Sequence, residues 1–290
     1  MNLRKGSEIR DNAQLKESFF RLGQQTFGLD YLDWSRFGYW DNTYVPYGIE
    51  ADGEIVANVS ISKSTLVVDG ETYKVAQIGG VMTNPNYRGQ GLSRRLMEEV
   101  MRDTGDMDLI YLFANHTVLD YYTKFGFEKR AQSTYTLNLS ELQLEPQEVK
   151  KLNLQDAASR KLLFDFAMHR VPVSTTLSMV QHESIVMFHA LNVYAHCTYV
   201  IPSLNVIVMA ERVDDTFHVY DVISKHYVAL EKVLAALPIN VPKIELYFTP
   251  NDSELFYDKK ALIESGAMFV KEQHNFRYPE NKRFPITSYT

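Results

Sequence analysis

The chain is poor in several things at once, and each shortage closes off a class of protein. Of its 290 residues only Cys197 is a cysteine, so no intrachain disulfide can form. This fits a reducing compartment, makes a cytoplasmic location the expectation, and excludes a disulfide-stapled secreted scaffold. No stretch approaches the ~20 consecutive apolar residues of a spanning helix. The opening run MNLRKGSEIRDNAQLKE has no apolar centre of the signal-peptide kind. Basic blocks are missing too: none is longer than a pair such as Arg94-Arg95, and the net charge is −6. A phosphate backbone demands concentrated positive surface, so neither nucleic acid nor membrane is an expected partner.

What remains is an ordinary globular composition, 45% hydrophobic and 23% charged. The length favours two domains. Residues 12–27 carry apolar side chains at helical spacing. Asp52-Gly53 is a turn between strand-like runs at Tyr47–Glu50 and Glu54–Ser62, and Asp69-Gly70 is a hairpin turn between Thr65–Val68 and Thr72–Val75, the last continuing to Thr83. A glycine-bearing loop, a helix from Leu92 to about Arg102, a strand at Leu109–Phe113, a helix at His116–Lys124 and a strand from Phe127 to Leu139 follow. The fold class predicted is α/β, with a mixed sheet of α+β type. A polar segment, Ser140–Lys151, containing Pro146, separates a domain of residues 1–140 from a second of residues 151–290.

The second half repeats the order of elements. Helices are expected at Asp156–His169, Leu177–Leu191, Val228–Leu237 and Lys259–Ser265. Strands are expected at Tyr194–Val200, Val206–Val213, Phe217–Ile223, Lys243–Phe248 and Ala267–Phe276. LIYLFAN ending at Asn115 resembles KIELYFTPN ending at Asn251, which reads as a diverged internal copy.

The informative stretch is Val81–Leu96, VMTNPNYRGQGLSRRL. It joins a strand to a helix through two glycines, which let the backbone turn tightly and approach a ligand. The helix start leaves N–H groups unpaired and carries the positive end of the macrodipole, a ready cradle for phosphate. Neither the dinucleotide G-x-G-x-x-G pattern nor the P-loop pattern is present.

In this stretch the sequence resembles the GNAT superfamily of acyl-CoA-dependent N-acyltransferases, whose signature is [Q/R]-x-x-G-x-[G/A]. Here the signature reads Arg88-Gly89-Gln90-Gly91-Leu92-Ser93, with Ser where the family has Gly or Ala. A second motif, Leu119-Asp120-Tyr121-Tyr122-Thr123-Lys124-Phe125-Gly126-Phe127, resembles the family's F-Y-x-K-x-G-F helix end. The resemblance implies acetyl-CoA as acyl donor, with no metal, and a small-molecule or peptide amine as acceptor; a homo-oligomer is compatible with it. It further implies that Val81, Met82 and Thr83 pair with the pantetheine arm through their backbone. Arg88, Gly89, Gln90, Gly91, Leu92 and Ser93 would hold the pyrophosphate, and Asn115 would touch the cofactor. Tyr122 would protonate the departing thiolate, with Tyr121 a packing residue.

The fourth-strand run YKVAQIGGV holds no carboxylate, only Gln77, so the candidates for a general base are His116, Glu50 and Glu54. The layout also resembles the first two modules of Eis-type acetyltransferases, an active module followed by a degenerate one. No role is carried over to Thr290. In the second half the counterpart of the glycine loop, Ile223–Val228, has no glycine, so one CoA site per chain is expected. The alternative is an acyl-CoA-binding protein of the same fold without turnover.

His182, His189 and His196 recur every seven residues. On one helix they would lie roughly 10 Å apart along the axis, too far for one metal with bonds of about 2 Å. Cys197 is expected to be a small buried residue. The loop Asp30–Tyr44, aromatic and acidic, is a candidate pocket wall for a cationic amine.

Overall fold

The computed structural model describes residues 1–115, 118–251, 257–262 and 266–290. Its strands in chain order are β1 (Asn2–Lys5), β2 (Tyr44–Ala51), β3 (Glu54–Val68), β4 (Glu71–Thr83), β5 (Leu109–Asn115), β6 (Glu128–Arg130), β7 (Ser133–Asn138), β8 (Lys150–Lys151), β9 (Leu177–Val180), β10 (Thr198–Ile201), β11 (Val206–Val213), β12 (Thr216–Ser224), β13 (Lys243–Leu246), β14 (Asp258–Ala261) and β15 (Gly266–Glu272). The helices are α1 (Ser7–Arg10), α2 (Ala13–Phe27), α3 (Leu32–Arg36), α4 (Leu92–Asp103), α5 (Leu119–Thr123), α6 (Ala157–Met168), α7 (Glu183–Asn192) and α8 (Leu230–Ala236).

The strands form two mixed sheets, as the α/β expectation requires. One runs β1-β2-β3-β4-β5-β15-β6 with β9 on the overhang of β3; the other runs β14-β7-β13-β12-β11-β10-β8. Each sheet contains one parallel pair joined by a helix: β4–α4–β5 in the first and β12–α8–β13 in the second. In each, an antiparallel strand lies against the outer side of that pair. Beside β5 it is β15, from the far end of the chain, and beside β13 it is β7, from the first half. The two sheets therefore trade the strands next to their outer edges.

This exchange explains why the single strand expected over Phe127–Leu139 is two. The chain leaves the first sheet after Arg130 and enters the second at Ser133. Gln132, buried at the crossing, accepts from the Phe284 amide at 2.9 Å.

Three other expectations are corrected. Leu177–Val180 is strand β9 on the Thr65–Val68 end of β3, with the helix starting only at Glu183. The Thr/Ser/Val-rich run Val173–Val180 suits a strand, and Gln181 breaks it with φ +56°. Lys259–Ala261 pairs with β7 as an edge strand instead of forming a helix, sheet pairing overriding the helical preference of Lys and Ala; Ile263–Ser265 lie outside the described residues. Residues 195–197 make a 3-10 turn, so the strand expected from Tyr194 begins at Thr198.

The modules share a core. Trp34 and Trp40 from the first half stack at 5.5 Å, and Trp34 meets Phe188 of α7 edge-on at 5.6 Å. The Trp34 indole donates to the Ser184 carbonyl at 2.8 Å, which satisfies its one polar atom in a buried setting. A second tie is the buried pair of Arg170 with Asp221, bonded at 2.8 and 2.9 Å, with the Thr287 hydroxyl donating to the same carboxylate at 2.6 Å. It fastens the last residues of the chain to the second sheet. Among the described residues no helix is long and apolar enough to cross a membrane.

Candidate active site

β4 and β5 part company partway along. Their parallel pairing runs from Val75–Leu109 to Ile78–Leu112 and then stops. Beyond that point, among the described residues, β4 is paired with β3 and β5 with β15. The register between β3 and β4 slips there: Ser60 opposes Gly79 but Asn58 opposes Met82, leaving Gly80 and Val81 against one residue of β3. Such a bulge bends the strand and re-aims its edge. Gly80 takes φ +55°, a conformation that a β-branched residue resists. The inner edge of Gly79–Thr83 is thereby left with unmatched backbone groups facing the gap, suited to an extended ligand arm.

At the end of that edge the chain enters a 3-10 turn, Pro85–Tyr87, capped by the Asn84 side chain. Gly89 and Gly91 follow with φ +76° and +75°. A Cβ at either would meet nothing within 4 Å, so the backbone there faces open space. Gly91 is the N-cap of α4 and offers no side-chain acceptor, so the first-turn amides of a twelve-residue helix lack a protein cap. An anion is what such an end favours. Arg88, Gln90, Arg94 and Arg95 are exposed around it. Arg88 reaches the Thr83 carbonyl through Nε at 3.4 Å, tying the loop to the strand edge.

Two adjacent tyrosines on α5 have different surroundings. Tyr122 is 6% exposed, its ring packed 6.4 Å from Phe127 and 6.1 Å from Phe269 of β15. Burial pushes its phenol up to about 12, so it carries its proton at neutral pH. Among the described residues its hydroxyl has no hydrogen-bond partner. Tyr121 is half-buried, and its hydroxyl lies 2.5 Å from the Ser93 hydroxyl on the first turn of α4. This contact ties α5 to the first turn of α4, a link that no sequence motif signals. Asn115 ends β5, exposed, opposite Gly266 of β15.

The candidate bases do not gather here. Glu50 is held by Arg4 at 2.7 Å and Glu54 by Arg21 at 2.8 Å. His116 lies outside the described residues. Gln77 turns instead to the chain end: with its amide oriented to satisfy both sides, Nε2 donates to the Ser288 carbonyl at 2.6 Å and Oε1 accepts from the Thr290 amide at 2.8 Å. Thr290 sits so close to Gly79 that any Cβ there would collide with it.

Beside Gly80 and Thr290 lies a narrow crevice of about 20 Å³, walled by Tyr31, Trp34, Tyr44 and Phe188. Loop Asp30–Tyr44 thus contributes its aromatic members. Its carboxylates are engaged locally: Asp33 with Arg36 at 2.9 Å, Asp30 with the Leu32 amide and Asp41 with Thr43.

Elsewhere, the ligand atoms of His196, Cys197 and Glu211 fall within 4.8 Å of one another. His196 and Glu211 already bond at 3.0 Å. Burial, with Glu211 adding, pushes the Cys197 thiol up to about 12, which opposes the thiolate a metal requires. Cys197 is 1% exposed, the small buried residue expected.

A parted parallel pair, a glycine loop and an uncapped helix N-terminus thus follow one another along the chain. Residues 10–130 match the model of the acetyltransferase (GNAT) domain. Over 55 residues it is 42% identical to GCN5-related N-acetyltransferase 2, chloroplastic, of Arabidopsis thaliana, a match covering 18% of this chain and 21% of that protein. The chain thus spans about a fifth of the length of that relative. In fold it is similar to a probable N-acyltransferase from Enterococcus faecalis, with TM-score 0.61 and 16% identity over 93% of this chain and 72% of that one. It is also similar to Eis1 from Mycobacterium abscessus, with TM-score 0.59 and 16% identity over 94% and 74%. The tandem arrangement suspected from the sequence is the one this likeness supports.

Proposed function

We propose that the protein is an acetyl-CoA-dependent N-acetyltransferase acting on a primary amine by direct attack. The observation that carries this is the continuity of the open β4 edge, the glycine loop and the uncapped α4, with Tyr122 beyond it. Backbone groups of Val81, Met82 and Thr83 would pair with the pantetheine arm. Arg88, Gly89, Gln90, Gly91, Leu92 and Ser93 would hold the pyrophosphate, and Asn115 would close the other side. We assign the chemistry to the module of residues 1–140, completed by β15, and give residues 151–290 the role of walling the acceptor side; a cytoplasmic setting suits both.

The amine nitrogen forms a bond to the thioester carbon while the C–S bond breaks. Tyr122 gives its phenolic proton to the departing sulfur, the proton lost by nitrogen goes to solvent, and solvent reprotonates the phenolate. A proton donor held above its ordinary pKa suits this task, because it stays loaded at neutral pH. The ion pairing of Glu50 and Glu54 favours a second reading, an acyl-CoA-binding module without turnover.

Titration calorimetry with acetyl-CoA, on wild type and on the Gly89→Glu/Gly91→Glu variant, tests the site. Binding at one per chain that the variant abolishes is expected. A folded wild type that does not bind would sink the proposal. Acceptor-dependent release of free CoA then separates the two readings.

A further inference from the structure

Strand β3 carries a polar side chain that its surroundings do not call for. The stretch Val56-Ala57-Asn58-Val59-Ser60-Ile61 is buried throughout, and Asn58 is 0% exposed. Its cross-strand neighbour is the buried Met82, so an apolar side chain of similar size would suit the place. The amide instead reaches the bulge of β4. Its Nδ2 donates to the Gly80 carbonyl at 2.9 Å and to Ser60 Oγ at 2.9 Å. A serine hydroxyl can pair with either end of an amide, but a carbonyl only accepts, so the bond to Gly80 decides which way the group is turned.

That orientation has a cost. It leaves Oδ1 buried with no donor among the described residues, and a buried acceptor left unmet lowers stability. What the amide gains is a hold on one peptide group. That peptide is planar and trans, so with the Gly80 carbonyl held towards Asn58 the Val81 N–H must point the opposite way. Val81 is also where the ladders fall away: among the described residues it has no register partner in β3, and the pairing with β5 has ended at Ile78. A Cβ on Gly80 would stand 3.3 Å from Asn58 Nδ2, 3.4 Å from the Tyr44 hydroxyl and 3.5 Å from Ser60 Oγ, so the bulge is closed on from that side by three polar side chains.

Building on the transferase reading, we propose that Asn58 is a positioning residue for the acyl donor. By gripping the Gly80 carbonyl it sets the turn of the peptide between residues 80 and 81, and with it the direction in which the free edge of β4 meets the pantetheine arm. Asn58 itself touches no reacting atom. Without the grip the glycine is free to take several backbone conformations, and the arm would bear the cost of ordering the edge it binds. The pyrophosphate, which the loop at residues 88–93 would hold, lies outside this effect.

The test is titration calorimetry on Asn58→Leu and Asn58→Asp with two probes, acetyl-CoA and ADP, which has a pyrophosphate but no pantetheine arm. Asn58→Leu keeps the volume and loses the grip. Its Kd for acetyl-CoA is expected to weaken several-fold, the worth of one hydrogen bond, while its Kd for ADP stays within twofold of wild type. In Asn58→Asp the side chain can donate to Gly80 only while it holds a proton, a form that burial favours and falling pH fills. Its deficit in acetyl-CoA affinity against wild type is therefore expected to shrink between about pH 8 and about pH 5, a dependence that loosened packing does not produce. Should Asn58→Leu fold poorly, that pH dependence decides alone. An unchanged acetyl-CoA Kd in Asn58→Leu, an equal loss for ADP, or a deficit in Asn58→Asp that does not move with pH would overturn the proposal. A folded wild type that fails to bind acetyl-CoA would defeat the underlying transferase reading instead.

Discussion

Replacing Tyr122 by Phe removes one oxygen and leaves the ring contacts with Phe127 and Phe269 in place. The lost hydroxyl has no hydrogen-bond partner among the described residues, so stability should move by less than about 1 kcal/mol and the melting curve should barely shift. Catalysis should respond very differently. A positioned acid contributes roughly a hundredfold to ten-thousandfold, about 2.7–5.4 kcal/mol of barrier, and kcat should fall by that factor with acetyl-CoA affinity retained. The neighbouring change, Tyr121→Phe, breaks the 2.5 Å contact with Ser93 on the cradle. A hydrogen bond of about 0.5–1.5 kcal/mol should appear as a several-fold weaker Kd for acetyl-CoA, with kcat nearly intact. Because burial raises the Tyr122 phenol to about 12, wild-type kcat should show no falling limb from this group until the pH nears that value. Stopped-flow thiol release and calorimetry on the pair of variants give both numbers. If Tyr122→Phe keeps kcat within threefold, or if Tyr121→Phe takes the larger kcat loss, the assignment of the acid is wrong.

Two further predictions concern the seam between the modules. Asp221→Asn leaves the Arg170 guanidinium buried and short of its countercharge; a loss of about 3–5 kcal/mol is expected, seen as a fall in Tm of about 10 °C. The double variant Arg170→Met/Asp221→Leu should recover most of it, and a single variant within 1 kcal/mol of wild type would contradict the argument. His182 is held down to about 3, first by burial and then by the Arg170 charge. Its folded pKa is depressed, so its neutral form supports the fold above the unfolded value near 6.5 and that support is lost as pH falls towards 3. Between pH 6.5 and 4.5 stability should drop by up to about 1.4 kcal/mol per unit from this group, and thermal melts of His182→Phe should show a shallower slope.

How much of this was legible in the residues depended on whether the cause was local. The Arg88–Ser93 loop and the Tyr122–Phe127 helix end were readable because their chemistry is spelled within a few residues: glycines at positive φ, a helix start without a cap, a phenol one turn before Gly126. The turns Asp52-Gly53 and Asp69-Gly70 were readable for the same reason. The partner of a strand is not written locally. Residues 127–139 alternate like one strand, yet the edges they pair with belong to different sheets. The alternation of β15 likewise carries no mark that it will lie beside β5. Lys259–Ala261 shows the same limit from the other side, a helical composition drawn into a sheet by the exposed edge of β7.

The same distinction accounts for the site. The donor half, β4 to α4, is continuous in sequence, and its motif could be read directly. The crevice beside Gly80 is assembled from distant parts: a loop at residues 31–44, α7 of the second module and Thr290. The strand exchange sets the course of the chain's last residues. Since β15 is laid into the first sheet beside β5, the segment after it must run back along the first module, carrying Phe284 against Tyr111 at 4.4 Å and Tyr289 against Phe113. Thr290 is thereby delivered to Gly79, and α7 is pressed against Trp34 from the other side. The second module, without a glycine loop, still borders this crevice. What it supplies is Phe188, Ile185 and the fixed course of residues 284–290, without which the Gly80 end of the crevice would stand open to water.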